Sequence, residues 1–247
     1  MRTVELDRLG LEPDGAVLDM GCGQGRHIHA LYDRPGLRVY GLDRDGEALS
    51  SAYSGCRAYF PAGSGDSRRW LVLRGECLDL PFASGSLDAV ICSEVLEHLA
   101  DYRAALIEIR RVLRPGGRLA LSVPRRGPER VCWWLSRGYR SEPGGHVRIF
   151  RGRSLRKEVA GLGFIYRGGH SAHGLHTPYW WLKCLYWSRR ETWLPVRLYH
   201  RLLVWDILSA PRCTRWLEAL LNPLLGKSSV LYFTRREVPS STFEVQS

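Results

Sequence analysis

Three glycines, Gly21, Gly23 and Gly25, follow an aspartate, Asp19, in the stretch VLDMGCGQGRHIHAL at 17–31. Val17-Leu18-Asp19 reads as a short buried strand and the segment from Gln24 as an amphipathic helix, so the glycines make the turn between them. Glycine turns sharply and lets backbone approach a ligand with no Cβ in the way. The spacing argues against a nicotinamide cofactor, which calls for Gly-x-Gly-x-x-Gly; position 26 is Arg. Asp43 ends the next apolar run, Leu37–Leu42. A carboxylate about 20 residues beyond a glycine loop, at the carboxyl end of the second strand, is placed to accept both ribose hydroxyls of an adenosine. The competing reading is a helix-capping aspartate.

Other residues could move protons or hold ions. Glu94, Glu97 and His98 stand at i, i+3 and i+4, which on a helix puts them on one face. Carboxylates with an imidazole suit a divalent cation, although a solvated helix face with a packed histidine gives the same spacing. His146, in GGHVRIF, follows two glycines that suit a mobile way in to an acceptor; a histidine fixing the loop by bonding backbone is equally consistent. His98 and His146 are therefore the candidates for a general base. His170, His173 and His176 are spaced by three, but Gly174 and Thr177-Pro178 interrupt a rigid helix and no carboxylate or cysteine is near in sequence. They are expected at the rim of an acceptor pocket, without a metal.

Four further blocks follow the glycine loop: CLDLPF at 77–82, SLDAVIC at 86–92, SEVLEHL at 93–99 and LRPGGRLALSVP at 113–124. In this order and at these intervals the set resembles the class I S-adenosylmethionine (SAM) dependent methyltransferases. Within them it resembles the type 11 family, which includes ubiquinone-pathway O-methyltransferases. The resemblance covers about residues 9–125 closely and the rest loosely. It implies SAM as cofactor, bound by Asp19, Gly21, Gly23, Gly25, Asp43, Asp79 and Leu80. The loop would cradle the methionine half, Asp79 would bond the adenine amino group, and Leu80 would present its backbone N–H to the ring. The Glu-x-x-Glu-His pattern is associated with a metal in the ubiquinone-pathway enzymes and occurs without one in other relatives, so no metal ligand is assigned. After the fourth strand stands Cys92-Ser93-Glu94-Val95, where amino-group methylases of adenine and glutamine carry Asp/Asn-Pro-Pro-Tyr/Phe. A Pro-Cys pair for C5 cytosine chemistry is missing too. Both favour a small, hydrophobic or lipid-like acceptor, with O-methylation ahead of N- or C-methylation. The alternative is an RNA methyltransferase using the basic second half. A non-catalytic SAM-binding module is opposed by the intact Asp19, Gly21, Gly23, Asp43 and Asp79.

The elements that must position these residues alternate. Strands are expected near 16–20, 37–42, 70–75, 87–92 and 117–123, with helices near 3–10, 24–33, 45–53 and 101–112. That order predicts an α/β fold: a doubly wound, mostly parallel seven-stranded sheet. Residues 61–67 read as a surface loop and 125–145 as a loop-rich basic stretch. A helix near 153–162 and strands at 164–166 and 229–234 complete the core, taken as 1–169 with 228–237. Between them 170–227 is expected as a helical cap, because a structureless loop of that length is rare; 238–247 reads as a polar tail.

The charge is uneven. Residues 1–120 carry 15 basic against 17 acidic residues, while 121–247 carry 21 against 8 and eight of the nine tryptophans. Such a field speaks of partners rather than fold. Arginines among tryptophans in the cap predict peripheral contact with an anionic membrane, against the plainer reading that these aromatics form the cap's own core. Nucleic acid is the less favoured partner. Seven scattered cysteines, with no Cys-x-x-Cys, suit a reducing compartment. The acid-bearing amino terminus does not read as a signal peptide, and no uncharged apolar run reaches the roughly 18 residues of a bilayer span. A cytoplasmic protein, peripheral to the membrane, is expected.

Overall fold

The computed structural model describes residues 2–31, 34, 36–59 and 69–237. The expected loop at 61–67 and tail at 238–247 lie outside them. Seven strands form one sheet in the order β3-β2-β1-β4-β5-β7-β6. They are β1 (Ala16–Met20), β2 (Arg38–Asp43), β3 (Arg69–Arg74), β4 (Leu87–Ser93), β5 (Leu113–Pro124), β6 (Phe164–Ala172) and β7 (Ser228–Arg235). β1 through β5 pair in parallel, and β7 runs antiparallel between β5 and β6.

The central strand β1, AVLDM, is buried along its whole length, as a parallel strand covered by helices on both faces must be. One face packs Leu18, Met20, Val90 and Leu121 with Leu106, Ile109 and Val112 of helix α3 (Tyr102–Val112). The other packs Val17, Val39 and Ile91 with Ile28 of helix α1 (Arg26–Ala30) and Cys56 of α2 (Gly46–Tyr59). Asp101 caps α3 by accepting a hydrogen bond from the Ala104 N–H, 3.0 Å. The Pro-Gly-Gly turn expected after α3 is a bulge inside β5: the register jumps from Leu87↔Leu113 to Ala89↔Arg118, with Gly116 at φ +77°.

Three local expectations are corrected. Residues 3–10 hold a short 3-10 turn, Leu6–Leu9, rather than a full helix. The stretch 125–145 carries two helices, α4 (Arg126–Leu135) and α5 (Arg137–Arg140), because Pro128, Glu129 and Cys132 fall on one buried side. Residues 94–98 form turns, with Glu94 at φ +57°, so the shared helix face expected for Glu94, Glu97 and His98 does not exist. Helix α6 (Gly152–Gly161) precedes β6 as expected.

The cap is helical: α7 (His176–Leu185), a 3-10 turn at Trp187–Arg189, α8 (Leu194–Ser209) and α9 (Arg212–Leu225). It docks on α4, where the Trp181 indole N–H donates to the Pro128 carbonyl, 3.2 Å. Gly174 N–H donates to Asn222 Oδ1, 2.8 Å, tying the end of β6 to α9. No helix among the described residues is long and apolar enough to cross a membrane.

Candidate active site

In open α/β sheets ligands bind beyond the carboxyl ends of the strands, where the strand order reverses. Here that point lies between β1 and β4, which pair directly while their chains leave in opposite directions. The glycine turn continues from β1 and the Glu94–His98 turns continue from β4, so both fall there.

Gly21, Gly23 and Gly25 all have positive φ, +72°, +52° and +87°. Gly21 lacks room as well: a Cβ there would stand 2.3 Å from Val95 Cγ2. Gly23 has no atom within 4 Å of where its Cβ would be, which leaves an open cradle for a ligand. Its N–H donates to Asp43 Oδ2, 2.8 Å, while Oδ1 accepts from the Asp45 N–H, 3.0 Å. The aspartate expected at the ribose thus also braces the glycine loop, and each oxygen keeps a lone pair for a hydroxyl. Asp19 is 1% exposed, and among the described residues neither carboxylate oxygen has a hydrogen-bond partner; His27 Nδ1 is 3.5 Å away. A buried carboxylate of this kind calls for a positive group. An open cradle above an unmet anion fits the charged methionine half of SAM.

On the expected adenine side Asp79 is exposed, as a ligand contact there needs. Leu80 is a correction. Its N–H is not turned to a ligand but donates to Glu108 Oε2, 2.9 Å. Glu108 is held by Arg111, which also donates to the carbonyls of Leu80 and Phe82 at 2.9 and 2.7 Å, so α3 clamps the 80–82 turn.

A cavity of about 620 Å³ adjoins this cleft, lined by Arg26, Glu94 and His98 on the sheet side, His146 and Tyr139 across it, and His173, His176 and Trp180 from the cap. The structure brings the two proposed bases together: the His98 and His146 rings lie 5.0 Å apart, edge to face. Their nitrogens are differently employed. His98 Nδ1 donates to the Gly144 and Gly145 carbonyls, 2.9 and 3.2 Å, and so fixes the glycine loop. Burial, together with the charge of His146, lowers the His98 pKa. His146 Nδ1 faces Glu129 Oε1 at 2.6 Å. That carboxylate also accepts from Tyr139 Oη, 3.1 Å, and the Trp133 indole N–H, 3.0 Å. Burial pushes the Glu129 carboxyl up, but the hydrogen bond from His146, its charge and that of Lys227 outweigh it and hold Glu129 below the ordinary carboxylate range. Glu129 was not singled out in the sequence. Its only local signal is the Glu-x-x-x-Trp spacing on α4, which is common.

Of the carboxylates thought to flank His98, Glu94 turns inward and accepts from Ser122 Oγ, 2.9 Å. Glu97 is 0% exposed with both oxygens unpartnered, and burial, then Glu94, raises its pKa well above the usual range. Ligand atoms of Glu97, His98 and His146, rather than the expected Glu94 set, lie within 4.8 Å of one another and could hold a divalent cation. Near the cap, His173 and His176 line the cavity and His170 does not. A carboxylate is beside them after all, Glu218 of α9.

The family profile described as a methyltransferase domain matches residues 18–121, the span that carries the glycine loop, Asp43, Asp79 and β4 with its turns. Over that span the chain is similar to a methyltransferase domain. It is 38% identical over 125 residues to an uncharacterized 37.1 kDa protein in transposon TN4556 of Streptomyces fradiae, covering 50% of this chain and 34% of that one. It is 33% identical over 116 residues to the O-methyltransferase rstn1 of Aspergillus nomiae, covering 47% and 49%. The chain thus spans half or less of the length of these relatives. The likeness in fold extends beyond that span. A methyltransferase solved with the Trm112 activator of Haloferax volcanii superposes with a TM-score of 0.61, covering 94% of this chain and 87% of that one at 21% identity. The domain's match ends before α4, so His146, Glu129 and the cap lie outside it.

Proposed function

We propose that the chain transfers the methyl group of SAM to a hydroxyl of a small, hydrophobic or lipid-like acceptor held in the cavity under the cap. The observation that carries this is the Glu129–His146 pair, 2.6 Å apart, opening on a cavity that adjoins the cofactor cleft. SAM brings a methyl group already activated by its sulfonium, so the chain's task is to align the acceptor, exclude water and take a proton. Positioning of that kind can lower a barrier by roughly 7–11 kcal/mol, and a general base adds roughly 10²–10⁴-fold.

Gly21, Gly23 and Gly25 would admit the methionine half, Asp19 would meet its ammonium, Asp43 would take the ribose hydroxyls and Asp79 the adenine. His146 holds its Nδ1 proton against Glu129, which leaves Nε2 as the basic nitrogen that takes the acceptor's proton. The fully ionised Glu129 stabilises the imidazolium that results. His98 serves by ordering the Gly144–Gly145 wall. The relative named as an O-methyltransferase supports the hydroxyl over nitrogen or carbon. Apolar side chains exposed on α8 and α9 support a lipid-like acceptor and contact with an anionic membrane on its cytoplasmic side. The same surface is a poor groove for RNA, whose recognition uses stacking rings in a polar channel.

The test is mass spectrometry of lipid and small-molecule extracts incubated with the protein and isotopically labelled SAM. A labelled methyl ether or ester in the apolar fraction is the expected result. Label appearing only in added RNA, or none anywhere, rejects the reading.

A further inference from the structure

His173 follows the last residue of β6, His176 opens α7 and Glu218 lies on α9, so three separate segments of the cap and its root converge. One ligand atom from each lies within 4.8 Å of the other two. The atoms of this cluster that have no hydrogen-bond partner among the described residues are His173 Nδ1, His176 Nδ1 and Glu218 Oε1, all buried. Buried polar atoms are normally paired, and three orphans pointing into one space need a common partner. A direct bond does not serve, because His173 Nδ1 stands 3.9 Å from Glu218 Oε1. Two tetrahedral ligands on one zinc, each about 2.0–2.1 Å from it, are about 3.4 Å apart, so the three ligand atoms, within 4.8 Å of one another, must close inward to complete the geometry.

The other nitrogen of His173 is already employed. Nε2 lies 3.0 Å from Thr3 Oγ1, and Nε2–H donating there turns the Nδ1 lone pair into the cluster. That is the supporting bond a metal-bound imidazole makes. Asp206 of α8 is buried and within electrostatic reach of both His176 and Glu218. Arg26 and Lys227 lie on the same side with positive charge. Of the nearby cations Arg215, on α9 with Glu218, bears on that carboxylate, while Arg26 donates to Thr3 and Lys227 sits over the Trp180 ring.

We infer that His173, His176 and Glu218 form a divalent-metal site of the two-histidine, one-carboxylate type, suited to zinc. Three protein ligands leave a fourth position; His173 and His176 line the cavity under the cap, and His173 and Glu218 line a second one beside Asp206 and Arg215. The site pins α7 and α9 to the end of β6 and places a Lewis-acidic ion at the acceptor's side of the cavity. It is distinct from the Glu97, His98 and His146 group, with which it shares no residue.

The experiment uses the full chain, stripped with a chelator, dialysed and titrated with Co²⁺ alone, following the visible bands that a four-coordinate ion intensifies. Wild type is expected to bind one equivalent that both His176→Gln and Glu218→Gln abolish or weaken by more than the roughly 10–100-fold that loss of a supporting partner costs. Zn²⁺ should displace the colour. Glu97→Gln should leave this equivalent unchanged, whatever it does elsewhere. Wild type that takes up no Co²⁺, or a stoichiometry and spectrum equal in wild type and both folded cap variants, overturns the inference. Should a variant fail to fold, histidine ring ¹⁵N shifts of wild type decide. Zn²⁺ must move Nδ1 of His173 and His176, and unmoved signals overturn the inference just as well.

Discussion

At the scale of single residues, Asp43 faces the glycine loop instead of capping α2, whose first N–H groups go to Asp45. It is the proposed ribose acceptor at the end of β2 and, in the structure, the brace for the Gly23 N–H. Asp43→Ala is expected to weaken SAM binding by about 2–3 kcal/mol, as paired hydrogen bonds to a charged acceptor are lost. Calorimetry checks this, and an unchanged dissociation constant in a folded variant removes Asp43 from the site. For the proton, His146→Asn should lower kcat by roughly 10²-fold or more while SAM affinity stays level. Glu129→Gln should share that phenotype, because it removes the charge that favours the imidazolium. The double variant should be little worse than His146→Asn, since the two act as one unit. His98→Asn, by contrast, should raise KM more than it lowers kcat, as its Nδ1 is committed to the Gly144 and Gly145 carbonyls. Turnover unchanged in His146→Asn would mean that alignment suffices without a base.

At the scale of elements, α3 reaches across to hold the 80–82 turn through Glu108 and Arg111. The hydrogen bond from Arg111 holds the Glu108 carboxyl below its ordinary value of 4.5. The folded value is therefore below the unfolded one, so the clamp's contribution is complete above the unfolded pKa and lost as pH falls through the folded one. Urea midpoints of wild type and Glu108→Gln should differ near neutrality and converge as pH falls below the ordinary carboxylate value and through the lower folded one. Glu108→Gln should also weaken SAM binding at neutral pH by loosening the adenine side. Curves that stay parallel on acidification show that Glu108 does not act as a carboxylate there. Much of this level was legible in the sequence. Alternating apolar runs located β1 to β4 and α3, and the glycine spacing located the loop, because both are local signals with fixed periods. What was not legible depends on distant partners. Leu80 reads as a free donor until Glu108 is seen beside it. Glu94, Glu97 and His98 have helical spacing, yet Glu94 adopts a left-handed backbone and turns to Ser122. Glu129 and Glu218 reach His146 and His173 from other segments, and no short-range pattern announces either.

At the scale of the whole molecule, the cap's aromatic and apolar side chains differ in exposure from helix to helix. Trp180 and Trp181 of α7 are half-buried against α4, as cap core. Leu208, Trp216 and Leu224, on α8 and α9, are 80%, 78% and 74% exposed, among Arg197, Arg201, Arg212 and Arg215. Apolar side chains on this scale rarely stay in water, and each basic residue near an anionic surface is worth about 1 kcal/mol. The protein is expected to pellet with phosphatidylserine vesicles at low salt, and Leu208→Asp with Trp216→Asp should return it to the supernatant. Wild type that stays in solution under those conditions rules the membrane contact out. The sheet order carries a consequence for synthesis. Among the seven described strands β7 is the last to leave the ribosome, yet it is the one that β5 and β6 both have as a neighbour. A nascent chain can pair β3, β2, β1, β4 and β5, but until residue 235 is free β5 presents an open edge and β6 has no partner. The cap must therefore wait, already translated but with its root untied, and it is over that interval that the growing chain most needs a chaperone.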